Sequence, residues 1–153
     1  MTYNAIRSAA GWAVAGNGTH TDPIIEKIAD GMPVRDAIAM SLLALDYERD
    51  QYDTPRVCAA VPAKGDAGWL AIIRRDSVVV RQIPLKPGVA HYTATYEADD
   101  VRDSQVSHFD ASNTEDAARF IIDGGVFKTF ERPVTSGAAL AAKGGFKLAA
   151  YVV

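Results

Sequence analysis

Cysteine is almost absent from this sequence, which has one thiol, Cys58, in 153 residues. A single cysteine excludes an intrachain disulfide. Cys58 lies in an apolar run, and a cysteine in such a run is usually a buried, unreactive side chain rather than a nucleophile. The amino terminus also lacks the charged segment and apolar core of a secretory signal. These absences predict a protein of the reducing cytoplasm.

Excess positive charge, long apolar runs and clustered histidines are missing as well. The formal net charge of −3 leaves no broad basic surface for a nucleic-acid backbone, so nucleic acid is not an expected partner. No apolar run approaches the ~20 residues that span a bilayer, so no membrane association is expected. His20, His91 and His108 lack the close spacing of metal ligands, and no metal site is predicted.

What the sequence does contain is enough apolar material for one domain. Apolar residues make up 48% of the chain, and a chain of about this length buries roughly 68–70% of the surface that it exposes when unfolded. No repeat, low-complexity segment or linker divides the sequence. We therefore expect a single domain over residues 1–153.

Apolar alternation and turn residues predict strands that pair with their neighbours along the chain. Residues 2–7 and 12–15 are expected to form a hairpin around a turn at residues 8–11. A final hairpin is expected around Gly144-Gly145. Between them, four closely spaced runs predict an antiparallel meander, with strands at residues 56–61, 68–74, 77–83 and 90–96.

Three helices are predicted among these strands. Asp22-Pro23 is a helix-start signal in which the carboxylate caps free amides, and Gly31 ends that helix. Val34–Leu45 has apolar residues around most of its circumference, which predicts a helix sandwiched between other elements. Ser112-x-x-Glu115 predicts a capping box for the third helix. The order of elements indicates an α+β layered fold.

The polar turn at residues 16–22 joins a predicted strand to a helix N-terminus. Backbone amides and the helix dipole at such a position favour an anion such as a phosphate or carboxylate. Gly16, Asn17 and Gly18 accept positive φ angles, so the backbone there is free to approach a ligand. The alternative is a tight turn with a helix cap and no ligand.

An acidic and aromatic cluster follows the second predicted helix. Glu48 could supply a general acid or base in a buried setting. Residues two apart point away from each other on a regular helix, so only one of Asp46 and Glu48 would face a given pocket unless the helix had ended. The alternative is a solvated helix end that Arg49 and water neutralise.

Two further groups near these turns are candidates for ligand contacts. Arg56, at the head of a predicted strand, is suited to grip an anion with two hydrogen bonds, although Asp50 or Asp53 could equally be its partner. Tyr3-Asn4 offers a phenol and an amide that would point to opposite faces of a strand. Tyr3 as an ordinary core or edge aromatic is the alternative.

Five spaced motifs occur in the order of a known family. They are Thr-Tyr-Asn at residues 2–4, Asn-Gly-Thr-His-Thr-Asp at 17–22, Glu-Lys-Ile at 26–28, Arg-Asp-Ala at 35–37, and Asp-Tyr-Glu-Arg-Asp-x-Tyr-x-Thr-Pro-Arg at 46–56. Together they resemble the archaeal-type IMP cyclohydrolase family. The resemblance is strongest over residues 2–61 and weaker, but compatible, to residue 153.

The resemblance implies a four-layer αββα sandwich like that of the N-terminal nucleophile hydrolases, with two mostly antiparallel sheets and no amino-terminal nucleophile in use. It also implies the last step of purine-nucleotide synthesis. In that step 5-formamidoimidazole-4-carboxamide ribonucleotide closes to IMP with loss of water, and no metal or organic cofactor is required. The implied partner is therefore a purine nucleotide.

The same resemblance implies roles for eight residues. Tyr3, Asn17 and Glu48 would surround the reacting base, with Glu48 and Tyr3 sharing the proton transfers and Asn17 orienting an amide or oxyanion. Arg56 would meet substrate charge. The complete set of implied substrate-binding residues is Asn4, Gly18, His20, Thr54 and Arg56.

Family members, by the same resemblance, begin with additional strands and an arginine-bearing segment before the equivalent of residues 2–4. Three readings of this difference are open: a truncated start, a piece completed by a second chain, or a shortened homologue. An uncovered sheet edge near the terminus would favour association with another copy. The alternative function is accordingly a non-catalytic or partial nucleotide-binding homologue that needs a second chain for activity.

Overall fold

The computed structural model describes residues 2–153, and Met1 lies outside the described part. The chain alternates short strands and helices, and the strand pairings described are antiparallel. The mixed, mostly antiparallel α and β architecture expected from the sequence is confirmed. In chain order the elements are β1 (Ile6–Ala9), β2 (Trp12–Gly16), α1 (Thr21–Ala29), α2 (Val34–Leu45), β3 (Arg56–Pro62), β4 (Ala67–Ile73), β5 (Val78–Pro84), β6 (Val89–His91), β7 (Val106–His108), α3 (Thr114–Asp123), a 3-10 helix (Gly125–Thr129), β8 (Thr135–Ala142) and β9 (Gly145–Val152).

A five-stranded sheet in the order β1-β2-β3-β4-β5 is the base of the fold. Its first hairpin has a two-residue turn, Ala10-Gly11, in which both residues have positive φ angles, 50° and 77°. Such a turn matches the twist of paired strands, so β1 continues to Ala9. The prediction of a strand at residues 2–7 with a turn at 8–11 is therefore wrong by several residues, and residues 2–5 precede the strand.

The fourth strand of the predicted meander does not join this sheet. Pro84 ends β5, and Pro87 and Gly88, the latter at a φ of 79°, turn the chain away. Val89–His91 pairs instead with Val106–His108, a strand that the sequence patterns did not indicate. Proline contributes no backbone donor, so it does not extend a ladder at this point.

Helices α1 and α2 cover one face of the sheet. Ile24, Ile25 and Ile28 place one apolar stripe of α1 in the core, and Ile38 and Leu42 do the same for α2. The bounds predicted for α2 are confirmed. Its expected sandwiched position is wrong, because the opposite stripe faces outward, with Met40 52% and Leu43 62% exposed. α2 is thus a helix laid on a sheet by one face.

A second apolar layer lies on the other face of the sheet. Leu70, Ile72 and Ile83 pack there with Val101 from the long loop before β7. The β8–β9 hairpin contacts β1, and α3 packs on that hairpin. The cap of α3 is the Asn113 side chain, which accepts from the Asp116 amide at 2.8 Å. The predicted cap at Ser112 is wrong by one position, since its hydroxyl donates to the Asp116 carboxylate instead.

No helix within residues 2–153 combines the length and apolar character that crossing a membrane requires.

Candidate functional site

The turn after β2 and the loop after α2 meet at the first residues of β3, and the Asn17 side chain connects them. Its Nδ2 donates to the Pro55 carbonyl at 2.9 Å, and its Oδ1 accepts from the Val57 amide at 2.9 Å. The Asn17 side-chain amide therefore extends the hydrogen-bond ladder between β2 and β3 by one more pair of bonds. One Nδ2 hydrogen has no part in these two bonds.

Gly16 and Gly18 are required for space at this turn. Neither has a positive φ angle, so the turn does not use the left-handed backbone that glycine accepts. A Cβ on Gly16 would lie 2.6 Å from His20 Nε2, and a Cβ on Gly18 would overlap Arg56 Nη1. The two glycines thus make room for an imidazole and a guanidinium that pack directly against the backbone.

His20 fills the space beneath the turn and is completely buried. Its Nε2 lies 2.8 Å from the Val57 carbonyl, an acceptor only, so Nε2 carries the ring hydrogen. Burial lowers the pKa of His20 below its usual range; the Val57 carbonyl opposes this shift, the Arg56 charge adds to it, and Glu48 acts weakly against it. His20 is accordingly neutral near pH 7, with a bare Nδ1. The predicted contact of His20 with substrate is not direct in this structure.

Arg56 and Glu48 form an ion pair where the turn after β2 meets the loop after α2. Arg56 is 8% exposed, and its Nε donates to the Asp46 carbonyl at 2.7 Å. Its Nη1 lies 2.8 Å from Glu48 Oε1, although neither Nη1 hydrogen is aligned on that oxygen. The Glu48 side chain keeps 47% of its surface exposed. A fixed cation therefore holds a carboxylate that a ligand can reach.

The partner of Arg56, which the sequence left open, is thus Glu48. Asp53 lies 3.5 Å from Arg75 instead. Asp50 accepts from the Thr54 amide at 3.0 Å and from the Thr54 hydroxyl at 2.6 Å, and these bonds hold the pKa of its carboxyl below the usual range. The Thr54 carbonyl in turn accepts from the Glu48 amide at 2.8 Å. The loop is closed by its own hydrogen bonds, which fix the position of Glu48.

Helix α2 ends before the acidic and aromatic segment at residues 46–53 begins. Asp46 is the C-cap residue, so Asp46 and Glu48 are not governed by helical spacing. The Asp46 carboxylate accepts from Arg49 at 2.8 Å and from the Tyr47 amide at 2.9 Å, and these contacts lower the pKa of its carboxyl. Part of the acidic cluster is therefore neutralised by Arg49, while Glu48 faces Arg56.

Asp46 occupies a backbone conformation that glycine alone adopts without strain, with φ 60° and ψ 177°. Strain of this kind costs roughly 1–3 kcal/mol. We expect Asp46→Gly to be more stable than Asp46→Ala by about that amount, because both lose the carboxylate and only glycine relieves the backbone. Chemical denaturation of both variants measures the difference. At Asp76, whose φ angle is not positive, the same pair serves as control, and alanine should be at least as stable as glycine there.

Tyr3 and Asn4 lie at the opposite side of the Asn17 turn. The Ala5 carbonyl accepts from the Gly16 amide at 2.9 Å, which brings the start of the chain alongside the turn. Asn4 donates to the Asp22 carboxylate at 3.0 Å. Asp22 therefore binds Asn4 and Arg7 rather than acting as the predicted helix cap.

Tyr3 lines a cavity of about 660 Å³ between β1 and the β8–β9 hairpin. The residues that line it do not include Asn17 or Glu48. The structure thus brings Asn17, Gly18, His20, Glu48, Thr54 and Arg56 together and leaves Tyr3 at the edge of a neighbouring cavity.

Tyr96 joins the cluster from a distant part of the chain, and sequence reasoning did not single it out. Its hydroxyl lies 3.2 Å from the Thr54 hydroxyl, 42 residues away in sequence. Tyr96 and Phe130 also line a cavity of about 410 Å³ against Val57, on the sheet face opposite α1 and α2. No local pattern around residue 96 indicates this contact, because only the tertiary fold creates it.

Cys58 has no part in the cluster. It is buried beneath α1 and α2, and burial raises the pKa of its thiol to about 12. The expectation of an unreactive core cysteine agrees with this position.

Known proteins are similar to this chain over most of its length. A family model described as IMP cyclohydrolase-like protein matches residues 1–145. A protein named IMP cyclohydrolase from Methanococcus maripaludis strain C7 is 38% identical over 149 residues, which cover 97% of this chain and 71% of the relative. A protein of that name from Methanosphaera stadtmanae is 40% identical over 139 residues, 91% of this chain and 66% of the relative. One from Halobacterium salinarum strain R1 is 45% identical over 119 residues, 78% of this chain and 57% of the relative.

Proposed function

The chain belongs to the IMP cyclohydrolase-like family, and on that premise we propose that it is a cyclohydrolase that closes 5-formamidoimidazole-4-carboxamide ribonucleotide to IMP. The reaction is the last step of purine-nucleotide synthesis. The observation that carries the proposal at residue level is the Glu48–Arg56 pair beside the Asn17 turn, where an accessible carboxylate is held by a buried cation.

The chemistry needs a proton acceptor, a proton donor and a polarising hydrogen bond. The carboxamide nitrogen of the substrate attacks its formyl carbon, a C–N bond forms, and the formyl oxygen gains a proton. The C–O bond of this tetrahedral intermediate then breaks and the oxygen leaves as water. The carboxamide nitrogen gives up one proton and the formamido nitrogen gives up the other, so that a C=N double bond forms at the formamido nitrogen. Because the attack is intramolecular, proximity is already supplied, and orientation and proton transfer are the main tasks of the protein.

Glu48 is the proposed proton acceptor for the carboxamide nitrogen. Arg56 fixes the direction of its carboxylate through the 2.8 Å contact. Arg56 is therefore assigned to Glu48 rather than to the substrate phosphate, since its Nε is also bound to the Asp46 carbonyl. Asn17 offers its remaining Nδ2 hydrogen to the developing oxyanion.

Tyr3 is the proposed proton donor to the departing oxygen. Its position next to the Asn17 turn supports this role, since the bond between the Gly16 amide and the Ala5 carbonyl sets the two segments side by side. Tyr3 also lines the cavity of about 660 Å³ between β1 and the β8–β9 hairpin, which has the size that small-molecule ligands occupy, although Asn17 and Glu48 do not line it. Gly18 and Thr54 contribute the space and the loop closure that keep this arrangement.

Two broader expectations belong to the same proposal. The order of α1 and α2, the five-stranded sheet, the β8–β9 hairpin and α3 supports a four-layer sandwich of the N-terminal nucleophile hydrolase type. A cytoplasmic setting and a purine nucleotide as ligand follow from the proposed reaction.

The direct test is to incubate the purified 153-residue chain with the formamido ribonucleotide and to quantify IMP by chromatography. We expect IMP to accumulate in proportion to protein concentration. Calorimetric titration with IMP runs in parallel. Binding of IMP without turnover would favour the non-catalytic homologue, above all if activity returned on adding a second chain. Folded protein that neither binds nor forms IMP would refute both.

A further inference from the structure

We propose that His20 is a positioning residue, whose Nδ1 holds the Arg56 guanidinium against Gly18 and so aims Glu48 at the substrate. The inference rests on the proposed function only for its kinetic part. Its structural part stands on the arrangement of three buried groups around one glycine.

Two buried polar atoms face the same small space without a hydrogen-bond partner in the described part of the chain. They are His20 Nδ1 and Arg56 Nη1. The position of a Cβ on Gly18 would overlap Nη1 and would lie 3.2 Å from Nδ1. Gly18 is thus the surface on which both groups converge, and any larger residue would separate them.

The chemistry of the two atoms is complementary. The bond to the Val57 carbonyl fixes the ring hydrogen on Nε2, so Nδ1 is a bare acceptor. Arg56 Nη1 is a donor that carries positive charge. A buried acceptor lone pair beside a buried cation attracts it more strongly than it would in water, and no other described group competes for Nδ1.

The consequence reaches the ligand through Glu48. Arg56 Nε is anchored on the Asp46 carbonyl, which leaves rotation of the whole planar guanidinium about this hydrogen bond as its main freedom. Attraction to Nδ1 sets that rotation and so places Nη1 2.8 Å from Glu48 Oε1. His20 itself is completely buried, so it acts on the reaction only through this chain of contacts.

Two amide variants separate the two ring nitrogens. In His20→Asn the side-chain oxygen can take the place of Nδ1, but the shorter side chain cannot reach the Val57 carbonyl. In His20→Gln the side-chain amide can take the place of Nε2 and keep the Val57 bond, but the Nδ1 acceptor is lost. A structural role and a positioning role therefore predict opposite rankings of the two variants.

We expect His20→Gln to be the more stable variant and to have the lower kcat, on the order of 10- to 100-fold below the parent, with little change in KM. His20→Asn should lose stability and keep a kcat within several-fold of the parent. The inference is overturned if activity follows stability, with His20→Asn the less active of the two, or if both variants match the parent in kcat.

The pH profile supplies a second readout. Arg56 and Glu48 are the charged groups that act on the imidazole. Protonation would turn Nδ1 into a donor facing Arg56, and burial lowers the pKa of His20, so the parent should lose kcat only at a pH below the ordinary His range. In His20→Asn, the loss of kcat that protonation of His20 causes at low pH should be absent. If kcat of this variant declined at low pH as it does in the parent, the inference would be contradicted.

Crystal structures of the two variants make the test independent of catalysis. We expect the Arg56 Nη1 to Glu48 Oε1 contact of 2.8 Å to remain in His20→Asn and to be lost in His20→Gln. Loss of the contact in neither variant would refute the positioning role. Absence of turnover in the parent protein would refute the proposed reaction while leaving this structural comparison valid.

Discussion

Replacing Glu48 by glutamine is expected to lower turnover by on the order of 10²–10⁴-fold, the usual contribution of a general acid or base. Glutamine keeps the size of the side chain and an oxygen for Arg56, but it cannot accept the proton from the carboxamide nitrogen. The pair is half exposed on the Glu48 side, so stability should change by no more than about 1 kcal/mol. Steady-state kinetics and denaturant unfolding measure the two effects separately.

Glu115→Gln is the matched control for this substitution. Glu115 is an exposed glutamate in the first turn of α3, outside the cluster at β3. The Glu115→Gln substitution should leave kcat and KM unchanged. If Glu48→Gln retained full turnover, or if both variants lost activity equally, Glu48 would not be the proton acceptor.

Truncating Leu42 to alanine is expected to destabilise the protein by about 2–5 kcal/mol, the range for buried leucines. Leu42 has no exposed surface and packs with Ile38 against the sheet under α2. The missing methyl groups leave a cavity that neighbouring side chains fill only in part. The free energy of unfolding, from urea titration followed by circular dichroism, gives the magnitude.

Leu43 provides the comparison within the same helix. It is 62% exposed, so Leu43→Ala should change stability by no more than about 0.5 kcal/mol. Equal losses for the two leucines would mean that α2 is covered on both faces, as its sequence alone suggested. A small loss at Leu42 would mean that this helix does not anchor the sheet.

The helices were accessible from sequence because their signals are local. The bounds of α2 follow from Pro33 and the apolar spacing, and α3 follows from its polar start. The exposed face of α2 could not be predicted from the sequence, since apolar residues around a helix do not show which face meets the sheet. The strand predicted at residues 90–96 is wrong for a similar reason. The partner strand, Val106–His108, is short and distant in sequence, so no local pattern indicates the pairing.

Several residues named from the sequence are neighbours in the fold, while their contacts could not be predicted. Asn17, Glu48 and Arg56 were named together, and the structure joins them at the start of β3. Which acid meets Arg56 is settled in the folded loop, where Asp50 binds Thr54 and Asp53 lies beside Arg75, and no residue pattern encodes these contacts. The link from Tyr96 to Thr54 spans 42 residues and exists only in the folded chain.

A crystal structure with IMP bound tests the location of the reaction most directly. We predict that the purine ring lies within hydrogen-bond distance of the Glu48 carboxylate and of Asn17 Nδ2, with Tyr3 at its other edge. IMP bound elsewhere, such as in the cleft beside Trp12 and Trp69, with no contact to Glu48 or Asn17, would contradict the assignment of this cluster as the ring-closing site.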